Sequence, residues 1–105
     1  MGWLYLFIAG IFEIGWPLSL KLSQAPQYRL TGIVLAAISM AISGFFLWLA
    51  QLTISIGTAY AVWTGIGAVG TLLAGIFLFG DSTSIGRLIS VFFIIVGIIG
   101  LKISQ

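Results

Sequence analysis

The apolar residues of this chain are gathered into four long runs, and this pattern constrains the fold more than any other feature. A helix needs about 20 mostly apolar residues to cross the hydrocarbon core of a bilayer. Short polar segments separate the runs, such as SQAPQYR after the first and GDSTS before the last. The predicted spans are about 3–21, 31–52, 57–79 and 85–102. The pattern therefore predicts an all-α integral membrane protein with four transmembrane helices in a single domain, residues 1–105.

The composition argues against most other classes of protein. Charged residues make up 6% of the chain and the mean hydropathy is +1.27, whereas a soluble domain carries roughly 25% charged residues. The chain has no cysteine and no histidine, which removes disulfides, thiolate chemistry and the commonest metal ligands. Neither a metal site nor an enzyme is predicted. A net charge of +2 from four basic residues does not suggest nucleic-acid binding. No cofactor is predicted.

The basic residues bear on how the chain is oriented in the membrane. Alternating spans place Lys21, Arg29 and Arg87 on one side and Lys102 on the other. The first run is expected to remain as a span, because no basic segment precedes it. The charge excess is small, so insertion in both orientations is expected. Four short spans enclose little space, and a dimer is therefore predicted.

A single carboxylate, Glu13, interrupts the first run in the segment GIFEIGWPLSLK. A carboxylate in hydrocarbon costs several kcal/mol unless it is protonated, paired or exposed to water. Helical spacing places Gly10 and Trp16 on the same face, and no basic residue lies within the apolar part of this run. One interpretation is a protonated structural carboxyl. The other is a site where a proton and an organic cation compete, because burial disfavours the charged form of a carboxyl group.

Side chains on the second and third runs are further candidates for this site. Ser43 is either a serine bonded to its own helix or a hydrogen-bonding partner of Glu13. Tyr60 and Trp63 lie one turn apart in GTAYAVWTGIGAVG. A buried tyrosine hydroxyl needs a partner and an indole ring suits cations, but packing is the alternative for both.

Small residues recur at helical spacing in the third and fourth runs, and they predict close contacts between helices. A bend is predicted around Gly65-Ile66-Gly67, and the fourth run is expected to serve in dimerisation. The residues concerned are Gly57, Ala61, Gly65, Gly67, Thr71, Gly75, Gly97 and Gly100.

Taken together, AGIFEIGW followed by LK, the serine of the second run and GTAYAVWTGIGAVG resemble the small multidrug resistance family over essentially the whole chain. Trp16, Leu20-Lys21 and WTGIGA in the third run are similar to its guanidinium exporter subtype. Pro17 departs from that pattern, where the subtype usually has a small residue. Proline removes a backbone hydrogen bond, and this departure bears on which cations fit.

The resemblance implies an antiparallel, dual-topology homodimer in the bacterial inner membrane that exchanges protons for guanidinium-type cations. A heterodimer with a related subunit of fixed orientation is the alternative assembly. The resemblance also implies that Glu13 binds both the proton and the cation. The residues that it implies line the site are Gly10, Trp16, Ser43, Tyr60 and Trp63.

The leading hypothesis is a proton-coupled exporter of guanidinium and small guanidinyl compounds, since a planar guanidinium pairs well with a carboxylate. The alternative within transport is an exporter of quaternary ammonium and other lipophilic cations, for which Trp16 is bulky. A non-transporting membrane subunit that assembles with a larger partner is the alternative from another class. That role leaves Glu13 unexplained.

Overall fold

The chain folds into four α-helices and one short 3₁₀ helix, in a computed structural model that describes residues 1–104. These helices are α1 (Gly2–Leu22), the 3₁₀ helix (Pro26–Tyr28), α2 (Arg29–Ala50), α3 (Ile56–Phe79) and α4 (Ile85–Ser104). No strand occurs within the described residues. The prediction of a four-helix, all-α protein is confirmed.

All four helices are long and apolar enough to cross a bilayer. The shortest, α4, has 20 residues, which corresponds to about 30 Å at 1.5 Å per residue. Large apolar side chains are exposed along every helix, and in α4 only Val91 is buried. Such a surface would be unfavourable in water but matches lipid hydrocarbon, so burial against lipid replaces much of the usual protein core.

Local signals explain where the helices end. α2 begins at Arg29, directly after the turn started by Pro26, and ends at Ala50, whose carbonyl accepts the Ile54 amide at 3.0 Å. α3 ends at Gly80, whose φ of 71° is readily adopted only by glycine. Before α4, the Ser84 hydroxyl accepts the Arg87 amide at 3.4 Å, as an N-cap residue does.

α1 and α3 pack closely because a glycine on one helix faces a larger side chain on the other. At each pair, a Cβ atom added to the glycine would collide with its neighbour. The pairs are Gly10 with Ile66, Gly67 with Glu13, and Gly70 with Ile14. The side chains thus alternate across the interface, which brings Glu13 against the backbone of α3.

Only some of the other predicted small residues make close contacts between helices. Gly65 faces Ile98 of α4, so the two glycines beside Ile66 contact different helices. Among residues 1–104, no atom beyond the neighbouring backbone of its own helix lies within 4 Å of a Cβ added at Gly57, and the same holds for Gly97 and Gly100. The predicted close contact is therefore absent at these three positions within one described chain.

The most deeply buried apolar side chains lie at one end of the bundle. This cluster consists of Leu6 of α1, Ala50 at the end of α2, Ile54 in the segment after α2, and Ala59 and Val62 of α3. Glu13 lies further along α1, outside the cluster, in a part of the molecule where α1 and α3 leave a groove. This closely packed end of the bundle therefore fixes the distance between α1 and α3, the two helices that form the groove.

Gly32 provides a test of the α1–α2 packing. An added Cβ would lie 2.5 Å from the Ser23 nitrogen and 2.6 Å from the Ser19 oxygen, both backbone atoms that cannot easily move. We expect Gly32→Ala to lower the free energy of unfolding by about 1–3 kcal/mol, the usual cost of overpacking. Unfolding in a detergent titration measures the change. Gly44→Ala in the same helix, where an added Cβ meets nothing within 4 Å, is the control, and equal losses for both variants would contradict this explanation.

Candidate cation-binding site

The Glu13 carboxylate is half-buried and already carries one hydrogen bond. The Trp16 indole N–H, three residues along α1, donates to Glu13 Oε1 at 2.6 Å. Hydrogen bonds to a charged acceptor are among the stronger ones in proteins. The second oxygen, Oε2, accepts no hydrogen bond from any side chain or amide within residues 1–104. One helix turn thus orients the carboxylate and leaves part of its acceptor capacity free.

A groove between α1 and α3 surrounds this carboxylate. Gly67 is buried directly beneath the Glu13 side chain, and an added Cβ would collide with Glu13 Cγ. The groove has a volume of about 290 Å³, and we call it the inner groove. Its lining consists of Glu13, Pro17, Thr64, Gly67, Ala68 and Thr71. None of these residues is basic, so the Glu13 carboxylate is the one charged group in the inner groove.

A second hydrogen-bonded group joins three helices beside Glu13. The buried Ser43 hydroxyl of α2 donates to the Ala9 carbonyl of α1 at 2.7 Å and accepts the Trp63 indole N–H of α3 at 2.8 Å. The Tyr60 ring is centred 5.6 Å from the Trp63 ring. Ser43 therefore fixes the orientation of Trp63 relative to α1.

These contacts match neither of the two predicted roles of Ser43, a hydrogen bond within its own helix or one to Glu13. The Ser43 hydroxyl is bonded to Ala9 and Trp63, and neither of these hydrogen bonds involves the Glu13 carboxylate. Ala9 lies one turn before Glu13, and in an α-helix the Ala9 carbonyl is the partner of the Glu13 amide. Ser43 is thus linked to the backbone next to the carboxylate. The bond reaches across to a neighbouring helix, which sequence spacing does not reveal.

Pro17 affects the backbone at the same point. Because proline has no amide hydrogen, the Glu13 carbonyl lacks its usual donor four residues later. α1 nevertheless remains helical through Pro17 as far as Leu22. Pro17 lines the inner groove beside Glu13, so the departure from the expected small residue lies in the wall of the candidate site.

The remaining predicted residues occupy distinct positions around this site. Gly10 is buried against Ile66 and supports the helix contact rather than lining the inner groove. Tyr60 is 57% exposed in a single chain. The spacing of small residues predicts that Gly67 and Thr71 serve in helix packing, and the structure shows that both also line the inner groove. The regular spacing of small residues indicates which face of α3 packs against another helix. It does not show that Glu13 of α1 lies opposite this face.

A larger cavity, of about 560 Å³, lies between α1, α3 and α4. Its walls are apolar apart from Lys102, whose Nζ atom is 4.6 Å from the centre of the Trp3 ring. A cation gains no carboxylate partner there and meets a positive charge. Within residues 1–104 there is also no group of three side chains suited to a metal ion. The inner groove is therefore the best candidate for binding an organic cation.

Comparison with known proteins agrees with this architecture. The family model described as Small Multidrug Resistance protein matches residues 1–94. A guanidinium exporter of Yersinia pseudotuberculosis is 48% identical over 105 residues, covering 100% of both chains. A guanidinium exporter of Salmonella typhimurium is 47% identical over 104 residues, which cover 99% of this chain and 98% of the relative. With its four apolar helices, this multi-pass bacterial membrane protein belongs to the small multidrug resistance family.

Proposed function

We propose that this protein exports guanidinium and small guanidinyl compounds across the bacterial inner membrane in exchange for protons. The observation that carries the proposal is the Glu13 carboxylate, oriented by the Trp16 indole in a groove that contains no basic side chain. Its relatives of about the same length are named guanidinium exporters, with 47% and 48% identity over nearly the whole chain.

The chemistry of the carboxylate suits a planar cation. A carboxylate offers about four lone-pair positions on its two oxygens, and the Trp16 bond uses one of them. The remaining positions allow a guanidinium to donate two parallel N–H bonds, the arrangement that arginine makes with carboxylates. The half-buried indole of Trp16 occupies one side of the Glu13 carboxylate, and the room that remains beside it suits a flat, small ion better than a bulky quaternary ammonium compound.

Exchange follows from the cost of charge in the membrane. A carboxylate there is stabilised either by a proton or by a cation, and the two bind at the same oxygens. Release of the cation on one side therefore favours uptake of a proton, and the protonated site returns without the cation. Competition for Glu13 is sufficient to couple the two movements, provided that the site opens to one side of the membrane at a time.

The site also supports the proposal of a dimer. The described chain measures 45 × 34 × 16 Å, so its four helices form a thin slab. The aromatic ring of Tyr60, next to the Ser43–Trp63 pair, stays exposed in a single chain. We propose an antiparallel homodimer in which the two inner grooves face each other. A single fixed orientation of a C-terminal tag would favour a heterodimer with a related subunit instead.

Glu13→Gln tests the central assumption. The amide keeps the shape of the side chain but can neither bind a proton at neutral pH nor form an ion pair with the substrate. We expect proteoliposomes containing this variant to show no guanidinium-driven proton movement, while Glu13→Asp, which retains a carboxylate, keeps measurable exchange. Transport by Glu13→Gln at the wild-type rate would overturn the proposed mechanism. A wild-type protein that responds to tetraalkylammonium ions but not to guanidinium would favour the lipophilic-cation exporter.

Trp16→Phe tests the orientation of the carboxylate. Phenylalanine keeps an aromatic ring but removes the N–H that donates to Glu13 Oε1. A hydrogen bond to a charged group is worth about 1.5–3 kcal/mol, so we expect the guanidinium concentration for half-maximal transport to change by roughly tenfold or more. Trp48→Phe removes an indole from an exposed position on α2 and serves as the matched control. Equal effects of the two substitutions would contradict a specific role for the Trp16 bond.

Gly67→Ala tests whether the backbone of α3 positions Glu13. The added methyl group would collide with Glu13 Cγ and push the carboxylate out of the inner groove. Overpacking of this kind costs about 1–3 kcal/mol, so we expect guanidinium transport to weaken by roughly tenfold, with the protein still eluting as a folded species. Gly57→Ala in the same helix, where nothing lies within 4 Å of the added Cβ, should leave transport unchanged. Unaltered transport by Gly67→Ala would refute the positioning role.

A further inference from the structure

The two acidic side chains of the chain line two neighbouring grooves between α1 and α3. Glu13 and Asp81 are the only aspartate and glutamate residues in the sequence. Beyond the inner groove lies a second cavity of about 240 Å³, which we call the outer groove and which Asp81 lines. Pro17 and Thr71 line both grooves. The two grooves are therefore adjacent, and these two residues lie between the two carboxylates.

The backbone places Asp81 at the outer groove. Gly80, in the left-handed conformation with φ of 71°, ends α3, and the Asp81 amide donates to the Gly75 carbonyl at 3.1 Å. The carboxylate folds back onto α3, where an added Cβ at Gly75 would collide with Asp81 Oδ2. Glycine at both positions thus permits the Asp81 carboxylate to lie against the outer groove instead of projecting away from the helix end.

A guanidinium group of the protein itself already lies beside this carboxylate. Arg87 Nη2 is 4.0 Å from Asp81 Oδ2, and both side chains are partly exposed, at 38% and 51%. The pair forms no hydrogen bond, and Arg87 Nε is buried without any partner within residues 1–104. Exposed ion pairs of this length are weak. The Asp81 carboxylate therefore has a guanidinium as its neighbour, but the ion pair with Arg87 is weak.

The lining of the outer groove includes one cation, Lys21 of α1, and Arg87 lies next to Asp81 without lining the groove itself. With these two positive charges near Asp81, the groove would repel a positively charged substrate if no carboxylate were present. Asp81 supplies that negative charge, in a cavity several times larger than the roughly 30 Å³ occupied by one water molecule.

We propose that Asp81 forms an outer binding site for guanidinium-type cations, and that the Arg87 guanidinium is a tethered competitor that the substrate displaces. This inference rests on the proposed function, because it assigns Asp81 to the path of the cation that Glu13 binds. The outer site raises the local concentration of the cation next to the inner groove. When the substrate displaces the Arg87 side chain, one guanidinium replaces another beside Asp81. The net charge next to this carboxylate therefore stays the same.

Transport kinetics in proteoliposomes test the two residues separately. Asp81→Asn should raise the guanidinium concentration for half-maximal transport by about three- to tenfold while the maximal rate changes little, since an exposed pair contributes only modestly. Arg87→Gln should lower that concentration, because the competitor is removed. The combined variant should behave like Asp81→Asn alone. If Arg87→Gln also lowers the half-maximal concentration in the Asp81→Asn background, Arg87 acts through general surface charge and the proposal fails.

Ionic strength and a matched charge change provide controls. The difference between wild type and Asp81→Asn should largely disappear at 1 M salt, where the Debye length is about 3 Å instead of about 10 Å at 0.1 M. Arg29→Gln removes one positive charge from the first residue of α2, outside the outer groove, and should leave the half-maximal concentration unchanged. An Arg29→Gln effect equal to that of Arg87→Gln would overturn the proposal.

Direct binding separates this inference from the proposed function. In the Glu13→Gln variant, which lacks the inner carboxylate, guanidinium chloride should still shift the amide NMR signals of Asp81 and Gly75, and tetramethylammonium chloride should do so much less. Adding Asp81→Asn should abolish these shifts. Absence of shifts in Glu13→Gln, with normal transport by wild type, would refute the outer site alone. Absence of guanidinium transport by wild type would refute the proposed function itself.

Discussion

The close approach of α1 and α3 at Gly67 is the contact on which the rest of the site depends. Because Gly67 has no side chain, the Glu13 side chain lies directly on the backbone of α3, and the inner groove forms around it. The Trp16 indole then holds one carboxylate oxygen. A larger residue at position 67 would not change any charged residue of the chain. It would, however, fill the space in which the Glu13 carboxylate is oriented.

The same packing principle operates along the whole α1–α3 interface, and it explains why so apolar a chain can form a defined structure. In a bilayer, helices gain little from burying apolar surface against each other, so close packing around small residues drives their association. Gly10 and Gly70 each receive an isoleucine from the facing helix, on either side of the Glu13–Gly67 contact. Large apolar side chains elsewhere remain exposed and suit the lipid.

Polar groups in this molecule are few, and their positions follow from the cost of leaving them unpaired. Ser43, the one buried polar side chain of the described residues, makes two hydrogen bonds and thereby joins α1, α2 and α3. The carboxylates behave differently, since Glu13 keeps an unbonded oxygen and Asp81 is paired only at 4.0 Å. Incomplete pairing is expected where a protein must bind and release a ligand rather than hold a structure together.

Much of this architecture was predictable, because local physics determines it. The length and hydropathy of the four runs predict the helices, and the three-residue spacing of Glu13 and Trp16 places both on one face, where their bond forms. The partners of Ser43, the contact of Glu13 with Gly67 and the neighbouring grooves lined by Glu13 and Asp81 depend on how the helices are rotated and shifted relative to one another. The spans, the lone membrane carboxylate and the indole on its face could be read from the sequence, since they follow from hydropathy and from spacing within one helix. The glycine that supports the carboxylate and the residues that line its groove could not, because contacts between helices depend on the combined packing of many side chains.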